Sequence, residues 1–214
     1  MTNSVDFIYA FDILGTIIFA LTGALKAVEK DLDFLGVIVF ATTVGCGGGM
    51  IRDSLIGATP VAALTNYIYL LVCVIVGIVI FFIGSLIHSE KKFIKYLDAL
   101  GLGVFTSIGC AKGALFDCSA IGQVLCGIVS ASGGGVIRDV MSKSIPTILT
   151  NDFYATASLL GGLLYLYLES TSLSIGYLFI ISTIFIFSLR IIAIQFSIEL
   201  PKSSSLWKKK RMKL

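Results

Sequence analysis

Long apolar runs alternate with short polar stretches along the whole chain. Seven runs are poor in charge, at about 7–27, 34–52, 67–87, 97–116, 120–139, 153–169 and 174–195. Each approaches the ~20 residues a helix needs to cross a ~30 Å hydrocarbon core, so the pattern predicts an all-α membrane protein with seven transmembrane helices. The sixth run, Phe153 to Leu168, is short. Pro60 and Pro146 fall in the connections after the second and fifth runs, where proline removes no helical hydrogen bond. Thr65-Asn66 and Thr150-Asn151 supply N-cap chemistry for the third and sixth spans.

Sliding the chain against itself by 86 residues brings Asp12 onto Asp98, Gly15 onto Gly101, Phe19 onto Phe105, Gly23 onto Gly109 and Lys26 onto Lys112. The register continues through Gly47-Gly48-Gly49 on Gly133-Gly134-Gly135, Arg52-Asp53 on Arg138-Asp139 and Pro60 on Pro146. After one deletion, Leu64-Thr65-Asn66 meets Leu149-Thr150-Asn151. Each copy holds three spans, an odd number, so the second copy enters the membrane from the opposite side. The predicted organisation is two inverted three-helix repeats, residues 1–87 and 88–169, then a seventh helix at 170–200 and a basic tail at 201–214. Inverted repeats are a recurring plan of transport proteins, with the pathway near the midplane where the halves meet.

The glycine triplets predict where that pathway lies. Gly47 is twelve residues beyond Leu35, and Gly133 twelve beyond Ile121. That is about 18 Å of helix, which puts both triplets near the middle of the membrane. Three glycines in a row weaken a helix by about 1 kcal/mol each relative to alanine, so an unwound or kinked backbone is expected there. Close helix packing is the competing reading, since Gly45-x-x-x-Gly49 and Gly109-x-x-x-Gly113 also fit small-residue contacts between membrane helices.

Ionisable groups in or near a span are costly unless they pair, snorkel or face water. Adjacent residues on a helix do not face each other, so Arg52 and Arg138 are expected to find acids on other segments, with Asp12 and Asp98 as the candidates. Asp53 and Asp139 complete the two Arg-Asp pairs. A structural salt bridge and a role in conduction are equally open for these groups. Lys26 and Lys112 can snorkel; Lys112, flanked by the small residues Gly109, Ala111 and Gly113, is the better functional candidate. Thr16, Thr22, Thr42, Thr43, Thr106, Ser107, Ser130 and Ser132 offer oxygens to a hydrated cation, although such hydroxyls commonly bond back to their own helix.

Composition agrees with the spans: 57% of the 214 residues are hydrophobic and 14% charged, with a mean hydropathy of +0.98. No room is left for a large soluble enzyme domain, and no G-x-S-x-G, H-E-x-x-H or phosphate-loop motif is present. Lys26, Lys30, Lys91, Lys92, Lys95, Arg138, Lys143 and the tail from Lys202 onward fall on one side; Arg52 and Lys112 fall on the other. This asymmetry predicts a cytoplasmic C-terminus and an N-terminus outside. Trp207 beside Lys208 to Arg211 suits the surface of an anionic membrane better than nucleic acid, which is not an expected partner. Cys46, Cys73, Cys110, Cys118 and Cys126 form no C-x-x-C pair, and His88 stands alone, so no metal site or disulfide framework is expected.

Paired three-span repeats carrying G-G-G-M-I-R-D (Gly47 to Asp53) and G-G-G-V-I-R-D (Gly133 to Asp139), followed by a seventh span, resemble the trimeric intracellular cation channel family in its prokaryotic branch. The resemblance implies a homotrimer in membrane lipid with one pore per protomer. It implies conduction of monovalent cations, chiefly potassium, with no cofactor expected and a location in a prokaryotic inner (plasma) membrane; because no T-V-G-Y-G filter sequence is present, weak discrimination between potassium and sodium is expected. It also implies that the second and fifth spans kink at Gly47–Gly49 and Gly133–Gly135, with Arg52, Asp53, Arg138, Asp139 and Lys112 near the pathway. Bacterial relatives are similar to a group described as glycine transporters, so a secondary transporter of a small amino acid is the alternative. A structural membrane scaffold is the third reading.

Overall fold

The structure is a computed structural model that describes residues 2–84, 91–150, 153–171, 173–196 and 198. His88, the 87/88 boundary, Asn151 and the tail at 201–214 lie outside the described residues.

Seven longer helices and two single-turn ones follow one another among the described residues: α1 (Thr2–Glu29), α2 (Phe34–Leu55), α3 (Ala62–Thr65), α4 (Ile68–Ile83), α5 (Lys91–Leu115), α6 (Ala120–Met141), α7 (Thr147–Thr150), α8 (Tyr154–Glu169) and α9 (Ile175–Gln195). The protein is an all-helical membrane protein. Five of the helices, α1, α2, α5, α6 and α9, are long and apolar enough to cross a bilayer. Each expected span contains a helix, but α4 and α8 have 16 residues each, about 24 Å at 1.5 Å per residue. Each follows a four-residue helix, α3 or α7, that the sequence does not announce.

Local chemistry sets the helix starts. The Asp33 carboxylate accepts from the Gly36 N–H at 2.7 Å to open α2, and Ser119, 86 residues later, accepts from the Gly122 N–H at 3.3 Å to open α6. Asn66 accepts from the Ile68 N–H at 3.0 Å one residue ahead of Tyr67, the N-cap of α4; Thr65 and Thr150, expected as caps, instead end α3 and α7, and Phe153 opens α8 without a side-chain cap.

The helices pack in matching sets: α1 lies on α2 and α4, and α5 lies on α6 and α8. The core runs between α1 and α5, where Phe19 and Phe105 stack at 5.1 Å between ring centres. These two residues are equivalent under the 86-residue offset. Beside them α2 crosses α6 antiparallel: Thr43 reaches Met141, Gly48 meets Gly134 and Arg52 reaches Ser130. Gly48 and Gly134 are again an equivalent pair. Helix α9, outside the duplication, packs mainly on α5 and α8.

The expected unwinding at the glycine triplets does not occur. Both α2 and α6 remain α-helical through them. What the triplets permit is contact. A Cβ on Gly48 would collide with the carbonyl oxygen of Ser130, and one on Gly134 would come within 2.5 Å of the Val44 carbonyl oxygen. Two backbones touch here, the arrangement that small residues allow between membrane helices.

Candidate functional site

The end of α2 carries Arg52 into the protein interior, where it is 1% exposed. Its Nε donates to Asp53 Oδ1 at 2.8 Å. Its two terminal nitrogens donate to the two Asp12 oxygens at 3.4 and 3.3 Å, and Nη1 also reaches Ser130 Oγ at 3.1 Å. Asp12 is therefore the partner on another segment. The bond to Asp53 corrects the expectation that sequence neighbours do not meet: the long arginine arm folds back along its own helix end. Tyr69 of α4 donates its hydroxyl to Asp12 Oδ2 at 3.0 Å. Lys112, at the end of α5, closes the group from the other half, with Nζ 3.0 Å from Asp12 Oδ2 and 3.4 Å from Asp53 Oδ1. Asp53 Oδ2 accepts the Ala62 N–H at 3.2 Å, which ties the cluster to α3.

The second cluster repeats this plan with different outer members. Arg138 Nη1 donates to Asp98 at 2.6 Å and Nε to Asp139 at 3.0 Å. Asp139 Oδ2 accepts from both the N–H and the hydroxyl of Thr147 at 2.7 Å, tying this cluster to α7. Tyr154, equivalent to Tyr69, stands beside Asp98, but its hydroxyl makes no hydrogen bond among the described residues. Val44 occupies the place equivalent to Ser130. Lys26, equivalent to Lys112, does not reach this cluster; it pairs with Glu29 at 3.0 Å.

Both clusters border open space. Asp53 and Lys112 line a vestibule of about 370 Å³ with Thr59, Pro60, Thr65 and Phe116. Behind it, Asp12, Thr16, Cys46, Arg52, Asp53 and Tyr69 line a cavity of about 10 Å³. That is room for one water. Arg138 and Asp139 line a second vestibule of about 200 Å³ with Lys26, Glu29, Lys95 and Thr147.

The sequence candidates thus converge on two sites. Asp12, Arg52, Asp53 and Lys112 meet in one; Asp98, Arg138 and Asp139 meet in the other. The glycine triplets lie between them at the α2–α6 crossing. Most of the hydroxyl candidates bond back to their own helices: Thr16 to the Asp12 carbonyl, Thr42 to Ile38, Thr106 to Leu102, Ser107 to Gly103 and Ser132 to Ile128. Ser130 instead turns to Arg52. Tyr69 and Arg190 escaped the sequence reading. A lone arginine in the apolar run of α9 was the available signal for Arg190; Tyr69 gave none beyond its repeat partner Tyr154.

Fold and site define a polytopic helical membrane protein with two buried ionic clusters at matched positions. One family model, described as "Glycine transporter", matches the chain twice, at residues 9–85 and 95–170. A UPF0126 membrane protein of Vibrio cholerae is 35% identical over 178 residues, covering 79% of this chain and 70% of the relative. A trimeric intracellular cation (TRIC) channel orthologue from Rhodobacter sphaeroides superposes with a TM-score of 0.86 at 29% identity, covering 89% of this chain and 98% of the other. A structure described as the basis for conductance through TRIC cation channels gives a TM-score of 0.81 at 36% identity, covering 91% and 96%. The chain belongs to the trimeric intracellular cation channel family, in its prokaryotic branch.

Proposed function

We propose that this protein is a monovalent-cation channel, permeable to potassium, with one pathway per protomer between two inverted three-helix repeats. The observation that carries the reading is the first cluster, where buried Asp12 and Asp53 are held by a lysine from the other half beside a vestibule. Carboxylates at the end of a water-filled entrance attract cations, and a tethered ammonium in their midst competes with the permeant ion. Lys112 is the gate on this reading, and withdrawing it frees two acidic ligands for potassium. Helices α2 and α6 line the route, bending rather than unwinding at Gly47–Gly49 and Gly133–Gly135 as the gate opens. Antiparallel crossing of α2 and α6, and self-contact of the equivalent pairs Phe19/Phe105 and Gly48/Gly134, support the inverted arrangement. Likeness to trimeric relatives supports a homotrimer in the inner membrane of a prokaryote, with the C-terminus cytoplasmic. Membrane lipids are its surroundings, and neither a cofactor nor nucleic acid enters the mechanism.

The family description keeps a carrier of a small zwitterion such as glycine as the rival. Planar bilayers containing the purified protein separate the two. Discrete potassium-carried steps, more frequent at rest in Lys112→Gln, are expected. Step-free, saturable glycine uptake by the same preparation overturns the channel in favour of the carrier, and absence of any flux leaves only the scaffold.

A further inference from the structure

Arg190 is the one charged residue of α9. It lies on the face formed by Phe179, Thr183, Ile186, Arg190 and Ala193, whose spacing follows one side of a helix. That face fits closely against α5 and α8: a Cβ on Gly103 would come 2.8 Å from the Thr183 carbonyl oxygen, and one on Gly161 would collide with Ile186. Arg190 is thereby held 3% exposed, with its guanidinium carbon 4.9 Å above the ring centre of Tyr154. Among the described residues its Nε has no hydrogen-bond partner and no carboxylate pairs with it. An aromatic face compensates a desolvated cation only in part, so a buried arginine with no ion pair among the described residues calls for a further role.

The two clusters differ in charge in a way that supplies this role. At the first, the carboxylates of Asp12 and Asp53 face two cations, Arg52 and Lys112. At the second, Asp98 and Asp139 are paired with Arg138 alone. Lys26 is diverted to Glu29, and the residue equivalent to Glu29 in the other half is Leu115, so Lys112 has no such competitor. Lys95 lines the second vestibule but is exposed and makes no ion pair among the described residues. Tyr154 bridges the gap: its ring lies under Arg190, and its hydroxyl and Asp98 both face Gly135.

We infer that Arg190 is the second cluster's missing counter-cation, so that α9, a helix outside the duplication, decides whether Asp98 and Asp139 hold a monovalent cation. Arg190 is a positioning residue here, acting on the carboxylates across the Tyr154 ring. Its influence on flux rests on the channel reading; its influence on cation binding does not.

Thermal unfolding of the detergent-purified protein in potassium chloride, against N-methylglucamine chloride at equal ionic strength, tests the inference without requiring conduction. The wild type and Arg190→Lys are expected to unfold at the same temperature in both salts. Arg190→Gln leaves two carboxylates against one guanidinium, and its unfolding temperature should rise with potassium concentration. Adding Glu29→Leu releases Lys26 into the vestibule it shares with Asp139, so the double variant should lose that potassium dependence. If Arg190→Gln does not fold in N-methylglucamine, recovery by potassium or by Glu29→Leu is the same prediction. An Arg190→Gln protein with no potassium response, one whose response survives Glu29→Leu, or one that neither treatment recovers overturns the inference.

Discussion

Equivalent residues in the two clusters do different work, and this makes Tyr69 and Tyr154 an internally controlled pair. Tyr69 donates to a buried carboxylate, whereas the Tyr154 hydroxyl is unbonded among the described residues. A hydrogen bond to a charged group contributes about 1.5–3 kcal/mol, and an unmet buried hydroxyl contributes nothing favourable. Tyr69→Phe is therefore expected to destabilise by about 2 kcal/mol, while Tyr154→Phe should be neutral or slightly stabilising. Chemical unfolding of both variants in the same detergent checks the difference. Asp12→Ala removes a partner shared by Arg52, Lys112 and Tyr69, and a buried pair broken from one side costs about 3–5 kcal/mol. Loss of folded protein on gel filtration is the expected result, and full recovery in Asp12→Glu would show that the charge is what matters. Part of this scale was legible in the sequence. The cost of an unpaired buried arginine pointed from Arg52 to Asp12 and from Arg138 to Asp98. That Lys112 joins Asp12 and Glu29 captures Lys26 depends on side-chain reach across helices, which spacing does not encode.

At the scale of elements, hydropathy located the long helices, whereas the Asp33 and Ser119 caps that open α2 and α6 emerged only from the structure. Unwinding at the glycine triplets is disfavoured for a physical reason. Helix propensity penalises them by about 1 kcal/mol each, but an unwound backbone in an apolar interior leaves polar groups unmet at several kcal/mol apiece. Continuing the helix is cheaper, and the missing side chains serve the crossing of α2 and α6 instead. The individual glycines therefore have unequal importance. Gly48→Ala and Gly134→Ala push a methyl into facing backbone, and overpacking of this kind costs about 1–3 kcal/mol or more. Gly49→Ala meets nothing nearer than the Arg52 guanidinium at 3.5 Å, so it is expected to be tolerated and to gain helix propensity. Unfolding temperatures of the three variants, with flux measured alongside, test that order; equal losses at all three would return the triplets to a purely conformational role.

For the whole molecule, the arrangement of two vestibules makes topology measurable. Thr59 lines the first vestibule and Ile145 the second, and the two are equivalent under the 86-residue offset. Both are exposed. Oppositely inserted halves place them on opposite faces of the membrane, whereas a duplication inserted in one direction places them on the same face. Four of the five native cysteines are buried and Cys118 is half-buried, so Cys118→Ser gives a quiet background. In that background, Thr59→Cys should react with a membrane-impermeant thiol reagent in right-side-out vesicles and Ile145→Cys only after the membrane is inverted. The expected side follows from charge: Lys26 and Lys95 line the second vestibule, Lys30 and Lys143 are close to its lining residues in sequence, and basic residues favour the cytoplasmic face. Labelling of both positions from one face would remove the pseudo-symmetric pathway, because the two ionic clusters would then guard the same entrance instead of opposite ends of one route.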